Sequence, residues 1–146
     1  MTDMAAHPMT EQEWRQFITD GTRTGMVATV RADGRPHVAP VWFDLDGDDI
    51  VFMTGSTSVK GKSLVRDPRV SISVDDPHPP FSFVTIQGTA TISEDLDDLL
   101  TWGTRLGGRY MGAEAAEDYG KRNAAPGELL VRVRIEKVVA IADLTH

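Results

Sequence analysis

Two stretches of β-forming residues, Met26-Val27-Ala28-Thr29-Val30 and His37-Val38-Ala39-Pro40-Val41-Trp42-Phe43, flank the polar sequence Ala32-Asp33-Gly34-Arg35. β-branched residues favour extended backbone, and an Asp-Gly pair between two such runs is typical of a β-hairpin turn. The sequence therefore predicts two antiparallel strands joined at short range. This hairpin decides the fold class, because a meander of short strands predicts a barrel in place of a parallel α/β sheet.

Four further strands continue this pattern toward the C-terminus. They are predicted at residues 50–54, 70–74, 83–92 and 129–135, with an extension of the last one over 138–144. Gly88 interrupts the long fifth strand, and a glycine inside a strand predicts a bulge or kink. Six strands with few helices favour a mainly β, closed antiparallel barrel.

The first predicted helix follows a capping box formed by Thr10 and Glu13, in which each side chain satisfies the backbone N–H of the other residue. Apolar residues at Trp14, Phe17 and Ile18 lie on one face of this helix. Before it, residues 1–9 are expected to form a flexible N-terminal tail. Residues 10–146 contain no linker or repeat, so they are expected to form a single domain.

Two more helical segments are predicted between strands. A polar loop over 55–62 opens a short helix that ends at Asp67-Pro68, because proline disfavours helical angles at the residue before it. A longer helical region is predicted over 95–119, with a break near Gly107-Gly108.

Composition excludes several classes of function. The chain of 146 residues has 22 acidic and 15 basic side chains, and its net charge of −7 argues against nucleic-acid binding. It has no apolar run of about 18 residues and no secretory signal pattern, so neither a membrane partner nor export is expected. The absence of cysteine excludes disulfides and thiolate chemistry, and a cytoplasmic location is expected.

The sequence lacks recognised catalytic and metal-binding motifs. The four histidines have none of the spacings typical of a metal site, and no nucleophile elbow or Walker loop is present. We therefore predict no catalytic side chain and no metal ligand. If the protein is an enzyme, a bound cofactor is expected to carry the reaction.

The segment 54–62 concentrates small hydroxyl residues and two lysines immediately before a helix. Free N–H groups at a helix start and the positive end of the helix dipole favour an anion. The residues predicted to bind it are Thr54, Ser58, Lys60 and Lys62. The same composition also suits a solvated surface turn, and the spacing alone does not choose between the two interpretations.

The residues Pro40, Val41 and Trp42 end the second predicted strand. A proline and an aromatic residue at a strand end can flank a planar ring. A tryptophan on a strand is, however, more often part of a protein core or a dimer interface.

Three segments in this order, 25–43, 60–74 and 83–92, resemble the pyridoxamine-phosphate-oxidase-like split barrels. The first is similar to their opening hairpin, the second to their phosphate-binding turn, helix and fourth strand, and the third to their fifth strand. The resemblance implies a six-stranded antiparallel split β-barrel of the flavin-binding type. It also implies a homodimer with each site at the subunit interface.

Within this family the chain resembles the oxidoreductases that depend on the deazaflavin coenzyme F-420. The resemblance implies that Lys60 and Lys62 bind the cofactor's phosphate, beside Ser58 and Thr54. It places Pro40, Val41 and Trp42 along the ring system. The Arg109-Tyr110 pair resembles a helix position that faces the partner's cofactor tail. Vitamin B6 chemistry is not expected, because Thr85-Ile86-Gln87 replaces the arginine–glutamine pair that true pyridoxamine-phosphate oxidases carry before the fifth-strand glycine.

The function implied by this resemblance is hydride transfer to an activated double bond of a small planar substrate. An FMN-binding oxidoreductase of the same fold is an alternative, since both cofactors put a phosphate on the same turn. A non-enzymatic protein that binds a flavin, haem or another tetrapyrrole is another alternative. A general-stress barrel without a ligand is the last.

Overall fold

A computed structural model describes residues 6–145 of the chain. The strands are β1 (His7–Pro8), β2 (Gly25–Val30), β3 (Pro36–Val41), β4 (Phe43–Asp46), β5 (Asp49–Gly55), β6 (Arg69–Asp76), β7 (Ser82–Ser93) and β8 (Glu128–Ala142). The helices are α1 (Glu11–Thr19), α2 (Val59–Arg66), α3 (Leu96–Met111) and α4 (Ala113–Asn123). Among the described residues, no helix combines the length and the apolar composition needed to cross a bilayer.

The strands form one antiparallel sheet in the order β3-β2-β6-β7-β8-β5-β4, and β1 pairs with β8. The two ends of this order, β3 and β4, are consecutive in the chain and are connected through Trp42. The sheet therefore curls until its two edges are covalently joined, although no backbone ladder closes the gap between them. This confirms the predicted fold class, an antiparallel split β-barrel with a few short helices.

Residues 6–145 form eight strands where six were predicted, chiefly because the second predicted strand changes partners. Val41 pairs with Gly25 of β2, whereas Phe43 pairs with Phe52 of β5. Trp42, between them, belongs to neither ladder. We refer to this interruption, Val41 to Phe43, as the barrel split. The short strand β1 accounts for the other addition.

The predicted N-terminal tail needs a correction over residues 7–9. His7 and Pro8 pair with Ala142 and Ile141 of β8, and the Met9 N–H donates to the carbonyl of Ala140 at 2.8 Å. Met9 also packs against the core. The free edge of the long strand β8 accounts for this pairing, because unpaired backbone groups accept another strand. Residues 1–5 lie outside the described residues.

The hydrophobic core has two parts. The barrel interior is filled by alternate residues of the strands, with Phe43, Phe52 and Ile72 fully buried. A second cluster lies outside the barrel, where α3 covers β5 and β8; it consists of Val51, Leu99, Trp102 and Leu130. The α3 helix is thereby held against the sheet close to the barrel split.

Gly88 lies at the predicted bulge. The register between β7 and β8 shifts between Gln87 and Gly88. A Cβ atom on Gly88 would overlap the carbonyl oxygen of Arg134 on the neighbouring strand. Only glycine allows this close backbone approach, so the prediction from the sequence is confirmed.

The break between the last two helices lies at Gly112, not at Gly107-Gly108. Gly112 has φ +99°, in the region that favours glycine, and it ends α3 and begins α4. Gly107 lies within α3, where a Cβ atom would be 2.8 Å from the Cβ of Tyr119. Gly103 likewise faces Gly120 of α4. Gly103 and Gly107 therefore serve close helix packing, and the low helix propensity of glycine misled the sequence-based prediction.

The neighbouring glycines of α3 provide a matched test of this packing. Gly107→Ala should destabilise the fold by about 1–3 kcal/mol, because the added methyl group overpacks the contact with Tyr119. Gly108→Ala should be neutral or stabilise by up to about 1 kcal/mol, since its methyl group meets Ala116 at an ordinary 3.5 Å and alanine favours helix. Urea unfolding of both variants measures the difference, and equal free energies would contradict the proposed packing.

Candidate functional site

A cavity of about 380 Å³ lies where the barrel split meets α2, α3 and α4. Its lining combines residues from six parts of the chain: Thr24, Pro40, Val41, Trp42, Met53, Lys60, Leu106 and Tyr119. The volume is in the range of small-molecule sites, and the lining is mostly apolar with a few polar groups, as is typical of such sites. The structure thus brings four of the predicted site residues together: Pro40, Val41, Trp42 and Lys60.

Trp42 forms the aromatic wall of this cavity. Its ring stacks on Tyr110 with a centroid distance of 4.9 Å and an interplanar angle of 2°. It also meets the ring of Tyr119, at a centroid distance of 5.6 Å and an interplanar angle of 38°. Trp42 is 37% exposed, because its place in the barrel split leaves its side chain outside the packed interior. The result is a rigid, partly exposed aromatic surface against which a planar ligand can lie.

Tyr110 holds the barrel split by hydrogen bonds. The backbone N–H of Phe43 donates to the Tyr110 hydroxyl at 3.2 Å, and this hydroxyl donates to the carbonyl of Arg23 at 2.6 Å. Burial raises the pKa of Tyr110, so its phenol is neutral and can donate at ordinary pH. The hydroxyl is therefore committed to the protein's own backbone.

Arg109 holds the same region from the other side. Its guanidinium donates to the carbonyls of Phe43, of Ile18 at 2.8 Å and of Gly21 at 3.1 Å. Its side chain is only 10% exposed, and the Asp44 carboxylate lies 3.9 Å away. Arg109 thus joins α3 to β4 and to the end of α1. Both side chains of the Arg109-Tyr110 pair bind the chain's own carbonyls, and the expectation that this pair faces a partner's cofactor tail stays a prediction.

The two predicted lysines lie in different surroundings. Lys60, in the first turn of α2, is half-buried and lines the cavity, whereas Lys62 is exposed and does not line it. Residues two apart on a helix point about 200° away from each other. Both ammonium groups were expected to converge on one phosphate. Only Lys60 lines the cavity, so they do not converge there.

The hydroxyls of Thr54 and Ser58 are used within the turn. The Ser58 hydroxyl donates to the carbonyl of Gly55 at 2.8 Å and accepts from the N–H of Gly61 at 2.9 Å. Its oxygen is also 2.9 Å from that of Thr54. Because Ser58 has one hydrogen, which Gly55 accepts, Thr54 donates to Ser58. These two predicted ligand residues shape the start of α2, and neither lines the cavity.

The turn leaves backbone donors free at the start of α2. In residues 6–145, no acceptor receives the N–H groups of Val59 and Lys60. Gly61 brings this turn close together, since a Cβ atom there would overlap the Gly55 carbonyl oxygen. Free N–H groups, the helix dipole and the Lys60 ammonium create a local positive potential beside the cavity.

The first turn of α2 differs in charge from those of the other helices. Acidic residues occupy the first turns of α1, α3 and α4, where they offset the helix dipole, but α2 has none. Along α2, Lys62 and Arg66 add positive charge, and the Arg66 guanidinium donates to the Val30 carbonyl at 2.6 Å. Arg31 comes directly after Val30 in the chain. Lys62, Arg66 and Arg31 are therefore exposed basic residues on or beside α2, outside the cavity lining, and we name this group the basic strip.

Half of the cavity lining was not found from the sequence: Thr24, Met53, Leu106 and Tyr119. These residues come from β5, from the two C-terminal helices and from the segment before β2, so tertiary packing assembles them. One signal was available. Gly103 and Gly107 are four apart in a predicted helix, a spacing that places two small residues on one face. Such a face accepts a second helix, and that helix delivers Tyr119.

Fold and site together define a split barrel whose cavity lies beside a turn with free backbone N–H groups and a lysine. The family model described as pyridoxamine 5′-phosphate oxidase matches residues 10–142. The chain therefore belongs to this family, as its resemblance predicted.

Two curated relatives match this chain over different lengths. A pyridoxine/pyridoxamine 5′-phosphate oxidase of Acidothermus cellulolyticus is 35% identical over 78 residues, which are 49% of this chain and 34% of that protein. The chain thus spans about a third of the length of that relative. An F420H(2)-dependent biliverdin reductase of Mycobacterium tuberculosis is 26% identical over 119 residues, or 82% of this chain and 80% of that one.

Two solved structures share the fold over most of the chain. A conserved hypothetical protein of Mycobacterium tuberculosis is 28% identical with a TM-score of 0.78, covering 90% of this chain and 84% of that one. A structure named F420 reductase is 26% identical with a TM-score of 0.68, covering 84% and 94%.

The contacts of Arg109 predict a large structural effect. Arg109→Ala should lower the free energy of unfolding by at least about 3 kcal/mol, because hydrogen bonds from a charged donor contribute about 1.5–3 kcal/mol each. Arg105→Ala, one turn earlier, should cost about 1 kcal/mol or less, since that side chain is 48% exposed and ion pairs at such positions are weak. Urea unfolding tests both, and similar losses in the two variants would contradict the role assigned to Arg109.

Proposed function

We propose that this protein is an oxidoreductase that uses the deazaflavin coenzyme F-420. In this proposal it transfers a hydride to an activated double bond of a small planar substrate. The observation that carries the proposal is the cavity itself, which combines the Trp42 aromatic surface with Lys60 at the start of α2. A phosphorylated planar ring has the two chemical features that these two parts accept.

The residues fit such a cofactor. Trp42, with Pro40 and Val41 beside it, would hold the ring system. The free N–H groups of Val59 and Lys60 and the Lys60 ammonium would bind the phosphate. Thr54 and Ser58 would support this indirectly, because their hydrogen bonds hold the turn in shape.

The chain's own groups bind, orient and exclude water. When bound, the reduced cofactor supplies the hydride. Val41 and Leu106 are buried beneath the cavity and Met53 is partly buried, so one wall of the site is apolar. An apolar wall favours a planar conjugated substrate stacked near the ring and keeps water from the reacting atoms. No side chain has to form a covalent bond in this scheme.

The names of two relatives support the choice of a deazaflavin for this proposal. The mycobacterial biliverdin reductase and the F420 reductase structure both carry this coenzyme in their names, each at 26% identity. The basic strip also favours it, because a deazaflavin carries a negatively charged tail beyond its phosphate. FMN ends at the phosphate and would not contact the strip, although the same turn would accept it.

Substitutions of Lys60 and Lys62 should distinguish coenzyme F-420 from FMN by their binding affinities. Lys60→Ala should weaken binding of both coenzyme F-420 and FMN at least tenfold, since a charge-assisted hydrogen bond contributes about 1.5–3 kcal/mol. Lys62→Ala should weaken F-420 binding only, because Lys62 is outside the cavity and on the basic strip. The melting temperature of each variant should stay near that of the wild type. Equilibrium titration of the apo-protein at matched ionic strength measures all four affinities.

The same titration decides between the alternatives. Wild-type protein should bind F-420 more tightly than FMN. Tighter binding of FMN would favour the flavin oxidoreductase, and binding of haem or biliverdin without turnover would favour the non-enzymatic protein. Unchanged affinity of Lys60→Ala for F-420 would remove the anion site from the proposal, and failure of every cofactor to bind would leave a barrel without a ligand.

We further propose that two copies of the chain form a homodimer around the site. The outer face of the β2–β3 hairpin is apolar and uncovered in the monomer: Met26 is 40% exposed and Val38 is 56% exposed. Met26 pairs with Pro40, which also lines the cavity. This apolar face therefore reaches the cavity edge, where a second copy would complete the site's outer wall.

Dimerisation through this face predicts a specific effect of charge. Val38→Asp should produce a monomer and weaken F-420 binding, because a carboxylate would be buried without a partner in the interface. Val139→Asp is the matched control, since Val139 is also exposed, at 43%, but lies on β8. Sedimentation velocity gives the assembly state of each variant. A wild-type monomer with full cofactor affinity would contradict the dimer.

A further inference from the structure

Tyr119 lines the cavity but has no role in the proposed binding of the cofactor. It lies on α4, lines the cavity and meets Trp42 with a centroid distance of 5.6 Å between the two rings. Gly107 of α3 gives it room, since a Cβ atom there would be 3.0 Å from the Cγ of Tyr119. The ring is thus placed at the cavity by close helix packing.

The two tyrosines of the chain use their hydroxyls differently. The Tyr110 hydroxyl is bound to the backbone of Arg23 and Phe43. In the described part of the chain, the Tyr119 hydroxyl makes no hydrogen bond, and it is not enclosed in the protein interior. Both phenols flank the same tryptophan, but only that of Tyr119 is available to a ligand.

The surroundings of Tyr119 keep its phenol protonated. Burial raises its pKa above the ordinary value, Arg122 of α4 lowers it and Glu128 of β8 raises it. Lys60 of α2 lines the same cavity. At neutral pH the phenol therefore carries its proton and can donate it to an acceptor.

The other polar groups of the cavity are poorer proton donors to a substrate. Thr24 has an aliphatic hydroxyl, which is a much weaker acid than a phenol. The Lys60 ammonium is committed to the cofactor's anionic group in the proposed function. Tyr119 is the remaining group in the lining that bears an acidic proton.

We propose that Tyr119 is the catalytic acid of the reaction and that the substrates are planar conjugated carbonyl compounds such as quinones. This inference rests on the proposed function. The substrate gains a hydride, with its two electrons, at one end of the conjugated system, and the reduced deazaflavin is oxidised by two electrons. The carbonyl oxygen forms a bond to the Tyr119 proton as the phenol O–H bond breaks, and the resulting phenolate regains a proton from water.

The test compares wild-type protein with Tyr119→Phe, using reduced F-420 and menadione as a planar quinone probe. The variant should reduce menadione at least about 10²-fold more slowly, which is the usual effect of removing a general acid. Affinity for F-420 should stay within a few-fold of the wild type. The wild-type rate should fall as pH rises through the raised pKa of Tyr119, because the phenol loses its proton there, and this fall should be absent in the variant.

A second measurement does not depend on turnover. Phenolate absorbance near 295 nm, taken as the difference between wild type and Tyr119→Phe, reports ionisation of Tyr119. Menadione added to the complex with oxidised F-420 should shift this ionisation to higher pH, since a hydrogen bond from the neutral phenol to the quinone stabilises the protonated form. No shift on saturation with menadione would overturn the proposal.

Tyr110→Phe is the matched control. It should lower the melting temperature, because the Phe43 N–H loses its acceptor, and the remaining activity should keep the wild-type fall at high pH. If Tyr119→Phe matches the wild type in rate and pH profile while F-420 still binds, the acid assignment is wrong and the proposed function stands. If F-420 does not bind the wild-type protein, the proposed function itself fails.

Discussion

The backbone of Phe43 sets the constraint on which the site depends. A curled sheet whose first and last strands do not pair leaves N–H and C=O groups without ladder partners, and such groups are costly when buried. Here Tyr110 accepts from the Phe43 N–H, and Arg109 donates to its carbonyl. Two adjacent residues of α3 therefore supply the hydrogen bonds that a neighbouring strand would otherwise make to Phe43. The barrel can stay split and Trp42 can stay out of the core, because these side chains bond the backbone N–H and carbonyl groups that the sheet leaves unpaired.

The same clamp connects the site to the rest of the fold. Arg109 also donates hydrogen bonds to the carbonyls of Ile18 and Gly21. Its guanidinium therefore connects α3 to the end of α1 and to the barrel split. With α3 fixed, its glycines determine how closely α4 approaches and hence where Tyr119 lies. The position of the cavity's aromatic walls thus follows from backbone satisfaction and helix packing, before any ligand is considered.

These origins explain which features could be predicted from the sequence. The hairpin, the Gly88 bulge and the Thr10 capping box depend on neighbours in the chain or on side-chain alternation, and the structure has each of them. Lys60 and Trp42 were found because both belong to local motifs. Tyr119 was missed because helix-to-helix packing delivers it, which no local pattern shows. Thr54 and Ser58 were expected at the ligand for their hydroxyls, but the capping of α2 uses those hydroxyls first.

The distribution of charge is compatible with the proposed binding of an anionic ligand by an acidic protein. A net charge of −7 repels an anion at a distance, yet salt screens that repulsion beyond about 8–10 Å under physiological conditions. Inside that distance the first turn of α2 dominates, because it has free N–H groups and Lys60 and no acidic residue. Such a site does not attract ligands from afar. In the proposed function, a ligand would have to engage the aromatic surface and the positive turn together, so selectivity would come from joining a planar ring to an anionic group in one molecule.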